Sequence, residues 1–331
     1  MGMMGASLAA SLRKQKDPPS VTGVVRSESS KKWILDNNLA DEALAIPEFK
    51  QYSLEIRKYD LIVLGMPIAA NGRLLTELAP LYGESRWANG GRSSGDSPDP
   101  SAGSESSPLK RPAENDSDSA SDSALPLITD MSSTRTFLEE VASRHPELTF
   151  IGSHPMCGSE DAGPSAFRDR LFQDRLVILI RSTLRPSEPE STYEKLRIFW
   201  ASVGSRVSEL NEVDHDLVLA YLSHAPHLVS SLLATVTAKR PEVARINGES
   251  PIPITGGGLR DMLRIAGSNP EMWQDILTTN RKYILESLKD FRNGLDELIQ
   301  TVETDSLDWW SDWQNRSRKY RNEICGYEED R

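Results

Sequence analysis

Histidine is scarce in this chain, and where it falls is informative. The five stand at 145, 154, 215, 224 and 227. Three of them, His215, His224 and His227, lie in DHDLVLAYLSHAPH, on one helix. His224 and His227 are three apart, and Asp214 or Asp216 could join them on a metal. There is no His-Glu-x-x-His and no neighbouring cysteine, so no metal site is expected; capped or packed helix histidines account for the pattern. The loop GSHPMCGSE (152–160) is denser. It sets His154 just beyond a strand, where open α/β sheets gather ligands. Cys157 has no base beside it in sequence and reads as a small buried thiol. GGGLRDMLRIAGSNPEMW (256–273) runs three glycines into a helix carrying Arg260, Asp261 and Arg264. The arginines are four apart and share a face. That suits a carboxylate or phosphate ligand, and a solvated basic face explains it equally well.

These groups need a frame. SVTGVVRS (20–27), DLIVLGMP (60–67), ALPLITD (124–130), the start of ELTFIGSHPMCGSE (147–160) and RLVILIRS (175–182) read as strands. Continuous apolarity fits parallel strands buried on both faces. Helices are expected over MGMMGASLAASLRKQK, over SSKKWILDNNL, through Leu74, Leu75, Leu78 and Tyr82, over MSSTRTFLEEVAS and over STYEKLRIFWASVG. The alternation gives a doubly wound α/β domain over 1–210. From 211 to 331 the strands stop and the domain is all-α. It holds two long helices, DHDLVLAYLSHAPHLVSSLLATVTA and EMWQDILTTNRKYILESLKDFRNGLDELIQTV. Their apolar content exceeds what solvated helices need, and a second copy of the chain would cover it. Between about 84 and 123 the sequence turns to Ser, Asp, Pro and Gly, a disordered insertion within the first domain.

The 331 residues carry 38 basic and 49 acidic side chains, a net charge of −11. That disfavours nucleic acid or an anionic membrane as partner. Two cysteines, Cys157 and Cys325, make no disulfide framework and suit a reducing compartment. No apolar run approaches twenty residues, so no membrane span is expected. A cytoplasmic protein is the reading.

Taken together the motifs resemble those of the prephenate/arogenate dehydrogenase family of tyrosine biosynthesis. His-Pro-Met-Ala-Gly-[Ser/Thr]-Glu appears as HPMCGSE (154–160), and Ser-His-x-Pro-His as SHAPH (223–227) after His215-Asp216. Gly-Gly-Phe-[Arg/Lys]-Asp-x-[Ser/Thr]-Arg-Ile-Ala…Pro-x-Met-Trp appears as GGLRDMLRIAGSNPEMW (257–273). Asp-x-x-Ser-[Val/Ile]-Lys appears as DMSSTR (130–135). Departures are Arg135 for lysine, Ser132 where glycine is common, Leu263 for Ser or Thr, and Cys157 for alanine.

The resemblance implies a homodimeric enzyme with a Rossmann-like domain and a helical dimerisation domain. It oxidatively decarboxylates a cyclohexadienol, passing hydride to a nicotinamide cofactor. It assigns His154 as acceptor at the ring 4-hydroxyl, with Ser133 as partner. Arg264, oriented by Asp261, takes the substrate carboxylate; His227 lies near the side chain, and Gly257, Ser159 and Trp273 complete the pocket. His227 favours prephenate over arogenate. The cofactor would touch Gly2, Gly5, Arg26, Ser27, Met66, Pro67 and Ser132. No carboxylate follows VTGVV; Arg26 stands there instead, so NADP fits at least as well as NAD. MGMMGASLA is similar to the second half of the family's glycine motif, with the first glycine and the strand before it absent. Either the recorded start is late or cofactor binding is impaired. Arogenate dehydrogenase, or a silent homologue kept as a dimeric module, are the alternatives.

Overall fold

The computed structural model describes residues 1–46, 53–88, 125–158, 163–304 and 306–327. The expected insertion falls mainly outside the described residues. Two compact units are distinguished, Met1–Arg281 and Lys282–Arg331.

The first unit starts with α1 (Met3–Leu12), which buries seven of its ten small and apolar residues. Two parallel pairs follow. β1 (Thr22–Val25) pairs with β2 (Glu42–Ala45), and β3 (Leu61–Leu64) with β4 (Leu127–Asp130). α2 (Glu28–Asp36) links the first pair, and Ser27 caps it by accepting the Ser30 N–H at 3.2 Å. α3 (Ile68–Ala88) follows β3 and carries its helix past residue 84. Among the described residues no ladder joins β1 to β3.

α4 (Thr136–Ser143) starts five residues later than the sequence suggests. β5 (Ser153–Pro155) runs antiparallel to β6 (Leu176–Ile180), and β6 pairs in parallel with β7 (Arg206–Leu210). β2 and β7 are strands the sequence reading did not name. Met3, Leu8 and Leu12 of α1 join Ile151, Phe172, Leu179, Leu196 and Trp200 in the main core. Trp200 belongs to α5 (Glu190–Ser202).

α6 (Glu212–Leu219) and α7 (Ala225–Ala238) form one continuous rod. They are joined by a π turn, Ala220–His224, in which the Ala225 N–H reaches back five residues to Ala220 O. At 27 residues this rod is long and apolar enough to cross a membrane, contrary to the expectation from run length. Its first half instead buries Glu212, His215, Asp216 and His224. Farther along, Leu232 and Val236 are exposed. α8 (Pro241–Glu249), α9 (Gly257–Leu263) and α10 (Pro270–Thr279) complete the unit.

The second unit holds most of α11 (Arg281–Val302) and α12 (Asp308–Cys325). The sequence reads α10 and α11 as one helix; they break at Asn280. Gly326, at φ +66°, closes α12 in the left-handed conformation that glycine takes without strain. Trp310 and Trp313 stack on α12, 5.7 Å apart.

Candidate active site

The site grows from the carboxyl end of β4. Asp130 is fully buried, and its carboxylate takes both prongs of Arg135, from Nη1 at 2.7 Å and Nη2 at 2.6 Å. The same carboxylate accepts the N–H groups of Ser132 (3.0 Å) and Ser153 (3.2 Å). Arg135 spends its other donors on Thr134 O (2.8 Å) and Ser153 O (3.0 Å). Burial alone would lower the Arg135 pKa; the Asp130 charge reverses that and holds it above normal. This pair locks the loop 131–135 to the start of β5, and so places His154.

Asp216 ties the helical rod to the same loop. Its Oδ1 accepts the Arg135 N–H and its Oδ2 the Thr136 N–H, each at 2.8 Å. Oδ1 also lies 2.9 Å from His215 Nδ1. His215 Nε2 in turn lies 2.9 Å from His154 Nδ1.

The protons on this chain of groups follow from its acidic end. Burial pushes the Asp216 carboxyl up, but the bonds from His215 and the Thr136 N–H outweigh it and keep its pKa below normal. Ionised, it can only accept, so His215 Nδ1 carries a hydrogen. Burial lowers the His215 pKa and keeps the ring neutral, so Nε2 is a lone pair. His154 must then donate from Nδ1, which leaves its Nε2 as an acceptor. Burial above all holds the His154 pKa well below normal, and the Arg135 charge adds to it. His154 is therefore a neutral base with a defined tautomer.

A second cluster adjoins it. Asn280 Nδ2 donates to Asp216 O (2.8 Å) and to His224 Nδ1 (3.1 Å). Burial brings the His224 pKa down to about 4. Trp273 packs between His224 and His227, its ring centroid 6.0 and 5.1 Å from theirs. His227 Nδ1 donates to Ser223 O at 2.8 Å. His227, Trp273, Ser231, Ser268 and Pro270 line a small cavity.

Three more of the expected substrate residues lie on the segment 257–264, which packs against α7, where Ser230 Oγ donates to Met262 O at 2.6 Å. Gly257, Asp261 and Arg264 are exposed. Asp261 and Arg264 form no ion pair among the described residues. Arg264 follows the end of α9 directly, at φ −53° and ψ −40°, so right-handed helical backbone continues into the 3₁₀ turn Arg264–Gly267. Ser133 is half-buried in the loop before α4 and makes no hydrogen bond among the described residues. Ser159 lies outside the described residues. Cys157 is buried, which pushes its thiol up to about 12 and makes it inert.

The expected cofactor residues stand at the start of α1, in the case of Gly2 and Gly5, and otherwise just after strand ends. Gly2 caps α1, and the first bond within that helix is Ala6 N–H to Gly2 O at 2.9 Å. Its first-turn N–H groups are thus available to an anion. A side chain at Gly2 would meet nothing within 4 Å. Arg26 and Ser27 follow β1, exposed; Met66 and Pro67 follow β3; Ser132 follows β4. A helix N-terminus, one arginine and two hydroxyls suit a dinucleotide.

Sequence reasoning missed His215, Asp216, Asn280 and the Asp130–Arg135 pair as parts of one site. Their partners lie up to 81 residues away. The signal was the His-Asp dipeptide at 215–216 together with Asp130 and Arg135 at the two ends of one motif.

Two family models match the chain. Residues 121–209 match the nucleotide-binding domain of prephenate dehydrogenase, and residues 211–314 its dimerization domain. The chain belongs to the prephenate/arogenate dehydrogenase family. It is 29% identical over 197 residues to a cyclohexadienyl dehydrogenase of Zymomonas mobilis, covering 59% of this chain and 65% of that protein. It is 29% identical over 202 residues to a prephenate dehydrogenase of Bacillus subtilis, covering 59% of this chain and 52% of that one. The matches thus span between half and two thirds of those relatives. In fold the chain resembles the Aquifex aeolicus prephenate dehydrogenase solved with hydroxyphenyl propionate and NAD+. The TM-score is 0.72 at 22% identity, over 98% of this chain and 95% of that one.

Proposed function

We propose that this chain is a prephenate dehydrogenase, acting as a homodimer in the cytoplasm with NAD or NADP. The observation that carries the reading is the row of contacts from Asp216 through His215 to His154, which occupies His154 Nδ1 and leaves its Nε2 to accept. When bound, the nicotinamide would take a hydride from C4 of prephenate. As that hydride leaves, the 4-hydroxyl gains carbonyl character and its proton becomes acidic. His154 Nε2 accepts that hydrogen bond. The ring carboxylate then departs as carbon dioxide, its bonding pair enters the ring, and 4-hydroxyphenylpyruvate results.

The remaining residues take roles by position. Ser133 would steady the same hydroxyl. His227 and Trp273 would sit beside the side chain, and Arg264 with Asp261 would meet a carboxylate. Gly2 and Gly5 at the start of α1, with Arg26, Ser27, Met66, Pro67 and Ser132 at the strand ends, would hold the cofactor. Arg26, without a carboxylate beside it, suits a 2′-phosphate. Residues 1–210 would form the cofactor domain and 211–331 the dimer-forming one.

The deciding experiment is cofactor reduction followed by absorbance, with prephenate and with arogenate, each with NAD and with NADP. Turnover of prephenate supports the reading. Turnover of arogenate alone moves the assignment to arogenate dehydrogenase. No turnover of either leaves a silent dimeric homologue.

A further inference from the structure

Asn71, in the first turn of α3, is fully buried and has a single orientation. The Met66 N–H can only donate, so the amide oxygen must face it, at 3.3 Å. Nδ2 then donates to Met66 O at 3.1 Å and to Ser132 Oγ at 2.9 Å. One side chain thus fastens the turn after β3 to the loop after β4. Those are two adjacent carboxyl ends of a parallel pair, the edge where dinucleotides lie.

The bond has a direction with a consequence. Ser132 Oγ accepts from Asn71, so its own proton is not used in that contact. Its backbone N–H is taken by Asp130. Among the described residues the hydroxyl donates to no other group. Ser132 is therefore held in place while keeping one donor unspent, beside the expected crevice.

We propose that Asn71 is a positioning residue for the nucleotide cofactor, holding Ser132 as a donor to an acceptor oxygen of that nucleotide. The proposal rests on the reading of the strand ends as the cofactor site.

The test is a double-mutant cycle on the full chain. NADH and NADPH are titrated by fluorescence without substrate, into the unmodified protein, Ser132→Ala, Asn71→Ala and the double variant. Each single change is expected to weaken binding about tenfold, as for one lost hydrogen bond. The double is expected to be no weaker than either single, because Asn71 acts through Ser132. Asn71→Ala weakening binding as much in the Ser132→Ala background would make its role merely structural and overturn the proposal. So would Ser132→Ala binding as tightly as the unmodified chain. If Asn71→Ala does not fold, Ser132→Thr decides: it must keep the affinity that Ser132→Ala loses. Binding of neither nucleotide by the unmodified chain would sink the cofactor-site reading and this proposal with it; only the other outcomes separate the two.

Discussion

His154 Nδ1 and His215 Nε2 lie 2.9 Å apart and hold one proton between them, with Asp216 fixing whose it is. His154→Ala is expected to lower kcat by about 10²–10⁴-fold, the usual worth of a positioned acid–base group, with cofactor affinity unchanged. His215→Leu leaves His154 without its Nδ1 partner and free to change tautomer. Its expected loss is smaller, roughly tenfold in kcat, on the order of one hydrogen bond. Steady-state assays with prephenate check both, and a His215→Leu enzyme as fast as the unmodified one would refute the tautomer argument.

Three buried neutral histidines make the fold sensitive to acid. His154, His215 and His224 all have pKa values below their ordinary 6.5, burial being the main cause in each. The unfolded chain takes up protons below pH 6.5 that the folded chain refuses. Stability from this source is present above 6.5 and lost as pH falls. For His224, held at about 4, the loss by pH 4 is on the order of 3 kcal/mol. Urea midpoints at pH 8 and pH 5 should differ more for the unmodified chain than for His224→Gln.

Glu139 works in the opposite sense. It is buried, its Oε1 takes no hydrogen bond, and burial raises its pKa to about 7. The folded state keeps a proton between pH 4.5 and 7 that the unfolded state has lost. That contribution is complete below 4.5 and disappears as pH rises through 7. Glu139→Gln keeps the shape without the charge. It should be more stable than the unmodified chain at pH 8, by on the order of 3 kcal/mol, with the two converging near pH 4.5. Equal melting temperatures at pH 8 would contradict the raised pKa.

Gly152 is needed for want of space. A Cβ there would stand 2.7 Å from Glu139 Oε1 and 2.9 Å from Arg135 Nη1. Neither can retreat, since Arg135 is pinned by Asp130 and both are buried. Gly152→Ala should cost about 1–3 kcal/mol, read from denaturant midpoints. Asp130→Asn, which strands a buried guanidinium, should cost more, about 3–5 kcal/mol.

Much of the frame is legible in the sequence because β3, β4 and β6 are short unbroken apolar runs, buried by their neighbours. β2 (EALA) and β7 (RVSEL) are not, since the one reads as helix-forming and the other is charged. The break at Asn280 is invisible locally. The apolar period runs straight through it, while Asn280, at the break, is held by Asp216 and His224, 64 and 56 residues away. His154 could be found from its loop. His215 and Asp216 could not be given a task, because what they do depends on a strand end and a helix start far off in the chain.

The π turn at Ala220–His224 makes this helix unusually tolerant of shortening. The inward residues run His215, Asp216, Leu219, Ala220, then His224 and Ala225, so the last step is five where an α-helix takes three or four. In an ordinary helix, removing one residue turns everything beyond it by about 100° and scrambles the buried face. Here removal of Leu222, which is exposed, converts that step of five into one of four. The rod would become regular, and the histidine that meets Asn280 would still point inward.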